Sequence, residues 1–464
     1  MDIFEISPSV KYLSVICLSF KLWMAEYFAF SDKGYHVTAS TDASMTASGE
    51  QNLPHVTTPD RMAQLDGLRA VAILLVVIFH TWFFLQDILQ QHAVFRDISE
   101  NLPWILAFIR RGDLGVDIFF VLSGFLLSWQ LFNERLKTGR LRVRRFYLTR
   151  IFRIYPLYIL ALLIAAGGLG LSWKFLGNLF AYNIWLGALD IVLPWTWSLS
   201  VELEFYAIVP LLIILFRSGP TTTFFTVAAC VMSVVWVYWA VTAFPQIIEN
   251  SYSDFKIARN NNDLDLFFRL LYTAMPMRLA QFFLGMAGAW VVVHRPDILA
   301  GIGRRTLAFL MVVIVVGACF PLLANPFDVR AEANPTIVYI EALFGRVGFA
   351  TAVALVIVLM QADHLPRTKR FLSSRLLEPV ARFSFSMYLF HPVFIVIGIV
   401  IFIGIEKVIT VSVWQYIGVL IVTIIGSMLF GYATWRWIEA PIIRYGRRLN
   451  ARLDGKISKP VSVG

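Results

Sequence analysis

The sequence predicts an all-α, polytopic membrane protein with about ten transmembrane helices and both termini in the cytoplasm. Three observations carry this prediction. Of 464 residues, 58% are hydrophobic and only 15% charged, whereas soluble domains run near 45–50% and 25%. The apolar residues gather into stretches close to the ~20 residues that a helix needs to cross a bilayer. Lys and Arg concentrate in alternate loops between those stretches. Coiled-coil, collagenous and wholly disordered classes fall to the same arithmetic, and a second large soluble domain has no chain left to form it.

Residues 1–62 read as an N-terminal extension and flexible linker. Val10 to Phe30 is apolar but broken by Lys11, Lys21 and Glu26, with no small-residue cleavage site close behind it. Residues 31–60 are rich in Ser, Thr, Asp and Ala, a composition that buries no core. Ten apolar stretches follow, near 67–86, 114–132, 151–170, 197–216, 221–244, 269–293, 306–324, 337–361, 383–403 and 412–435. They define a membrane domain over 63–445, followed by a basic cytoplasmic tail over 446–464. The intervening 171–196 carries Trp173, Tyr182, Trp185 and Trp195 among Gly and Pro, and is expected to be interfacial or re-entrant, since Trp and Tyr favour the headgroup level. An eleventh span there or at 10–30 stays open.

The loop between the second and third stretches holds eight cations, from Arg135 to Arg153. Arg295, Arg304 and Arg305, then Arg367, Lys369, Arg370, Arg375 and Arg382, bias the same side, and the tail continues it from Arg436 to Lys459. The net charge of +10 is therefore mostly a positive-inside signal and calls for no nucleic-acid partner. Cys17, Cys230 and Cys319 are too scattered for a disulfide framework or a zinc site, and no metal is expected.

Ionisable side chains at bilayer depth cost at least a few kcal/mol and default to a bundle interior or a polar site. Arg69 stands at the mouth of the first span and His80 eleven residues further, about 16 Å along one helix face. His80 is either a neutral imidazole capping a carbonyl or a general base, and its intrinsic pKa near working pH favours the base. Ser198, Glu202 and Tyr206 repeat at four-residue steps in the fourth span and form one polar stripe, which either joins helices or orients an imidazole or a substrate hydroxyl. In the ninth span Ser384, Tyr388 and His391 share a face; His391 precedes Pro392, so a role at a kink competes with a functional one. Arg278 and Arg346 lie inside the sixth and eighth spans and must meet anions or carbonyls. Arg144, Arg145, Arg150 and Arg153 precede Ile154-Tyr155-Pro156. They serve topology and anionic-lipid contact, or bind the phosphates of a nucleotide-like acyl donor through their guanidinium forks.

Taken in order, these pieces resemble the membrane-bound acyltransferase family 3, which includes bacterial exopolysaccharide, O-antigen and nodulation-factor O-acyltransferases. The resemblance runs from about Gln64 to Tyr445. It rests on Asp66, Gly67, Leu68, Arg69 and His80; on Gly115 to Leu126, including Asp117; on Arg150 and Arg153; on Trp197 to Glu202 with Phe205 and Tyr206; on Arg278 with Phe282 and Gly285; on Ser384, Tyr388 and His391; and on Glu439 with Pro441. Each match alone is weak, but seven in order on matching spans are specific. The extension before residue 62 is unusual for the family. The chain after Tyr445 is too short for the esterase-like domain that some members carry.

The resemblance implies a multi-pass enzyme of the bacterial cell membrane that transfers an acyl group, commonly acetyl, from acyl-CoA to a hydroxyl of a carbohydrate, lipid-linked sugar or glycoside. No tightly bound cofactor is implied; acyl-CoA is a substrate, and membrane lipids are the other partner. His80 is the expected base, Glu202 its orienting carboxylate, and Arg69 the group that stabilises the carbonyl oxygen or places the donor. Arg145, Arg150 and Arg153 are expected on donor phosphates. Asp66, Asp117, Trp197, Ser198, Tyr206, Arg278, Tyr388 and His391 are expected to contact substrate. The competing class is a transporter or flippase whose Arg, His and Glu line a pathway; it accounts for the intramembrane charges but not for the phosphate-suited loop. The orientation has a direct check. A reporter active only outside the cytoplasm is expected to be silent when fused after Gly464 or within 135–148, and activity at either place would reverse the assignment.

Overall fold

The computed structural model describes residues 62–90, 92–101, 103, 106–169, 173–180, 182, 191–323, 334–404 and 411–457. Ten helices among these are long and apolar enough to cross a membrane: α1 (Ala63–Ile88), α2 (Leu114–Thr138), α3 (Val143–Ala165), α4 (Pro194–Leu215), α5 (Gly219–Ala243), α6 (Asn261–His294), α7 (Arg304–Leu323), α8 (Pro335–Gln361), α9 (Leu377–Phe402) and α10 (Val413–Leu453). All ten expected stretches are recovered. The largest differences are at α3 and α6, which each start eight residues early, and at α10, which runs on because the basic tail is helical through Ile457. The linker and the apolar run at 10–30 lie outside the described residues.

The segment 171–196 contributes a short helix, Trp173–Leu179, and a 3-10 turn, Pro194–Thr196, that leads into α4. Trp185 lies outside the described residues. Trp195 corrects the interfacial expectation: it is 6% exposed, and its indole N–H donates to the Leu389 carbonyl at 3.1 Å. An indole with a partner inside the bundle has no need of the headgroup level.

The spans differ in how much of their apolar window the protein encloses. For α1 and α2 the share is 67% and 72%, against 17% for α7, so the first two are core and α7 faces lipid. In a membrane, apolar surface gains little from leaving lipid, and close backbone approach takes over. α2 and α6 use it directly. A Cβ on Gly124 would stand 2.2 Å from the Phe282 carbonyl oxygen, and one on Gly285 2.2 Å from that of Val121. Phe282 then stacks on Phe205 of α4, ring centroids 4.1 Å apart.

A buried ion cluster ties α2, α6 and α8 together. Asp117 in the first turn of α2 accepts from Arg278 (2.9 Å) and Gln281 (2.7 Å) of α6 and from Arg346 (2.5 Å) of α8. Arg346 also donates to Asp113 at 2.6 Å. Arg111 bonds Asp113 (3.2 Å) and Glu341 (3.0 Å), and reaches the Pro321 carbonyl at the end of α7. Arg278 further donates to the Tyr272 carbonyl. That carbonyl is available because a π turn at Phe268–Tyr272 ends there and Pro276, four residues on, has no N–H. Three guanidinium groups thus meet three carboxylates with no net charge. Just outside the spans, burial would raise the Asp113 carboxyl, but Arg111 and Arg346 hold it below the ordinary carboxylate range.

This cluster corrects three expectations. Asp117, Arg278 and Trp197 were expected on substrate. Asp117 and Arg278 are 0% exposed and bonded to each other, and Trp197 lies with its ring 5.1 Å from the Arg278 guanidinium carbon. Each is committed to the fold, and Arg346 has found the anions it needed. Removing one partner of a buried pair leaves an uncompensated charge and costs about 3–5 kcal/mol. Asp117→Asn is therefore expected to lower the unfolding free energy in detergent by roughly that amount. Asp66→Asn, in the part-exposed pair with Arg69, should stay within about 1 kcal/mol of wild type. Thermal or denaturant unfolding of both variants checks the contrast.

Candidate active site

His80 of α1 and His391 of α9 form a directly bonded pair, with His391 Nε2 2.8 Å from His80 Nδ1. His391 is fully enclosed and His80 is 9% exposed. Their tautomers follow from their partners. His391 Nδ1 is 3.0 Å from the carbonyls of Met387 and Tyr388, and carbonyls only accept, so Nδ1 carries the proton. The neutral His391 Nε2 must then accept, and His80 Nδ1 donates to it. His80 Nε2 is left with its lone pair and, among the described residues, no hydrogen-bond partner.

Pro392 explains why the chain can build this. Within α9 the amide of residue 392 would normally bond the Tyr388 carbonyl, but proline has none. The freed oxygen takes the His391 side chain instead. Pro392 thus leaves a backbone acceptor for the side chain of its own neighbour, His391. The pair sits among aromatic rings: Phe84 is 5.5 Å from His80 and Trp195 is 6.3 Å from His391, centroid to centroid.

A cavity of about 440 Å³ lies between α1, α2, α3, α4 and α9. Of its lining residues, Gln130 and Arg153 are exposed and Ser198 is buried. Its wall carries Arg69, which donates to Asp66 at 2.9 Å, and Arg150, which donates to Gln130 at 3.0 Å. Arg150 spreads its guanidinium over the Phe146 and Tyr206 rings at 5.5 and 5.9 Å. Its Nε is enclosed and has no partner among the described residues, a donor left available to an anion. Glu439, 8% exposed in the π turn Trp435–Glu439, lies within Coulombic reach of Arg153.

Asp66, Arg69, Arg150, Arg153, Ser198, Glu202, Tyr206 and Tyr388 therefore converge on one cavity, as one site requires. His80 and His391 are not among the residues that line it. Glu202 is not where it was expected. It accepts from Tyr206 at 2.5 Å and from Ser123, because a hydroxyl one turn along its own helix and another on α2 are nearer than the imidazole. The partner of His80 is His391. Arg69 stands about 16 Å from His80 along α1. Arg145 is exposed on α3 and does not line the cavity. Sequence reasoning missed Ser123 and Gln130; Ser123 lay inside the Gly115–Leu126 motif, whereas nothing in the local pattern marked Gln130. Among the described residues no group of three or more His, Cys, Asp or Glu side chains is placed to hold a metal ion.

Residues 62–432 match the family described as "Acyltransferase domain". "O-acetyltransferase OatA" of Staphylococcus aureus is 24% identical over 88% of this chain and 62% of its own length. "Nose resistant to fluoxetine protein 6" of Caenorhabditis elegans is 20% identical over 75% of this chain and 47% of its own. A putative O-acetyltransferase of S. aureus is 28% identical over 33% and 25%. The chain thus spans less than two thirds of the length of these relatives. No solved structure matches it.

Proposed function

The chain belongs to the membrane-bound acyltransferase family 3, and from that premise we propose that it moves an acetyl or similar short acyl group from acyl-CoA to a hydroxyl of a carbohydrate, lipid-linked sugar or glycoside. That it is a multi-pass membrane acyltransferase follows from the family and the ten spans. The transporter reading accounts for buried charges, but these are largely consumed in the ion cluster. The observation that carries the donor reading is the cavity itself: Arg69, Arg150 and Arg153 in a largely apolar lining, with Tyr388 of that lining one turn from the imidazole pair.

In this reading Arg150 and Arg153 hold the donor's phosphates, with charge-assisted forks on the cytoplasmic side. Arg69, steadied by Asp66, sits further along and helps place the chain of the donor. Glu202 steadies Tyr206 and Ser123, and so the cavity wall against which Arg150 lies. His80 is the catalytic residue. Its Nε2 lone pair takes the proton of the acceptor hydroxyl as the oxygen attacks the thioester carbonyl. The tetrahedral adduct then expels the thiolate, which recovers the proton from the imidazolium. His391 is a positioning residue: by accepting from Nδ1–H it keeps the lone pair on Nε2, as the orienting partner does in hydrolase triads. The bacterial cell membrane is the proposed location, and surface glycans are the proposed acceptors.

Two sets of variants test the reading in detergent-purified protein supplied with labelled acetyl-CoA. His80→Ala is expected to lower turnover by at least the 10²–10⁴ typical of a general base, with unfolding unchanged. His391→Ala should cost about tenfold or more through the wrong tautomer. Turnover of His80→Ala within about tenfold of wild type would remove His80 as base.

The paired change Arg150→Gln with Arg153→Gln keeps side-chain length and removes two forks. At about 1.5–3 kcal/mol per charge-assisted bond, the donor KM is expected to rise by one to three orders of magnitude. The maximal rate should fall much less, and added salt should weaken donor use by wild type more than by the variant. A fall in maximal rate at unchanged donor KM would take these arginines off the donor phosphates.

A further inference from the structure

We propose that Tyr388 is an acyl-length gate between the donor cavity and the His80–His391 pair. The inference rests on the donor reading above and goes beyond it by naming what selects the acyl group. Ser198 and Tyr388 line the cavity and neither imidazole does, while Tyr388 stands one turn before His391 on α9 and its carbonyl meets the His391 ring. A thioester advancing along it therefore meets the Tyr388 ring before it meets His80.

The ring is held across the passage by two bonds whose direction is determined. Tyr388 Oη is 2.5 Å from the Trp195 carbonyl oxygen, which can only accept, so the phenol proton points there. Ser198 Oγ is 2.9 Å from the same Oη and must donate to it. Trp195 also meets His391 ring to ring, so the residue that latches the gate also packs on the imidazole pair. The latch can open. Both bonds are between neutral groups, and the Trp195 carbonyl belongs to a 3-10 turn. The turn of α9 that carries Tyr388 already lacks one backbone restraint, because Pro392 offers no N–H.

Behind the gate, Phe84 and Trp195 pack on the two imidazoles. The room open to an acyl group is then chiefly what the phenol ring vacates on swinging aside. A long acyl chain would meet these rings. A pocket of this kind discriminates by about tenfold or more for a methylene that it cannot seat.

The experiment uses the full chain purified in detergent, with acetyl-, butyryl-, hexanoyl- and octanoyl-CoA as donors and thiol release as the readout. Wild type is expected to prefer acetyl over hexanoyl by at least about tenfold in kcat/KM. Tyr388→Ala, which deletes the ring, should lower that preference by about tenfold or more. Tyr388→Phe keeps the ring, loses both latching bonds and should lower the preference severalfold at an unchanged melting temperature. If Tyr388→Ala does not fold, the Phe variant decides alone. Active variants that keep the wild-type length profile would overturn the gate and leave the donor reading standing. Loss of all turnover in a folded Tyr388→Phe would also overturn it, by making the hydroxyl a reacting group. A wild type that consumes no acyl-CoA of any length would remove both readings.

Discussion

Everything in this bundle depends on keeping six charges away from lipid without leaving any of them alone. Arg111, Asp113, Asp117, Arg278, Glu341 and Arg346 answer each other in one neutral cluster. Each ion carries a desolvation cost of several kcal/mol that only close geometry offsets. The cluster therefore tolerates little displacement of α2, α6 and α8. Its neighbours are arranged by it. Trp197 caps Arg278 at the start of α4, and the glycine contact of α2 with α6 brings Phe282 between Phe120 and Phe205. Phe120 is also part of the cavity wall. The clamp and the site share a helix face, which is why residues of the clamp read as substrate contacts in one dimension.

The second constraint is the separation of cations from imidazoles. Arg150 and Arg153 line the cavity, whereas the His80–His391 pair lies outside that lining. An extended amphipathic donor suits that spacing, since its charged end and its reacting end are far apart. The imidazole pair keeps its proton order without any carboxylate. A buried carboxylate would have brought a full charge among aromatic rings, whereas two backbone carbonyls, one of them released by Pro392, supply acceptors at no net charge. Pro392 thus acts through what it withholds from the backbone.

The sequence by itself determined the class of molecule. Ten apolar stretches of membrane length leave no other fold, because backbone polar groups in lipid must be satisfied within helices. Their alternation with cationic loops carries the expected orientation, and motif order along the spans identified the family. Most of the cavity was legible too. Arg69 with Asp66, Arg150 with Arg153, and Ser198 with Glu202 and Tyr206 each sit at helical spacing, so each group had to share a face.

Which faces meet was decided only by tertiary structure. Periodicity places Glu202 and His80 on their own helices but says nothing of the rotation of α4 against α1, so Glu202 was given to an imidazole that in fact pairs with His391. The same ambiguity put Asp117, Trp197 and Arg278 on substrate. A buried charge announces that it needs a partner, and whether that partner is protein or ligand depends on atoms hundreds of residues away, as with Asp117 and Arg346. Trp195 shows the converse: an aromatic residue next to Pro194 reads as interfacial until the Leu389 carbonyl of a distant helix is found to satisfy its N–H. Local spacing determines what a helix presents. Only the packing of one helix on another, through close backbone contact and paired charge, decides what it is presented to.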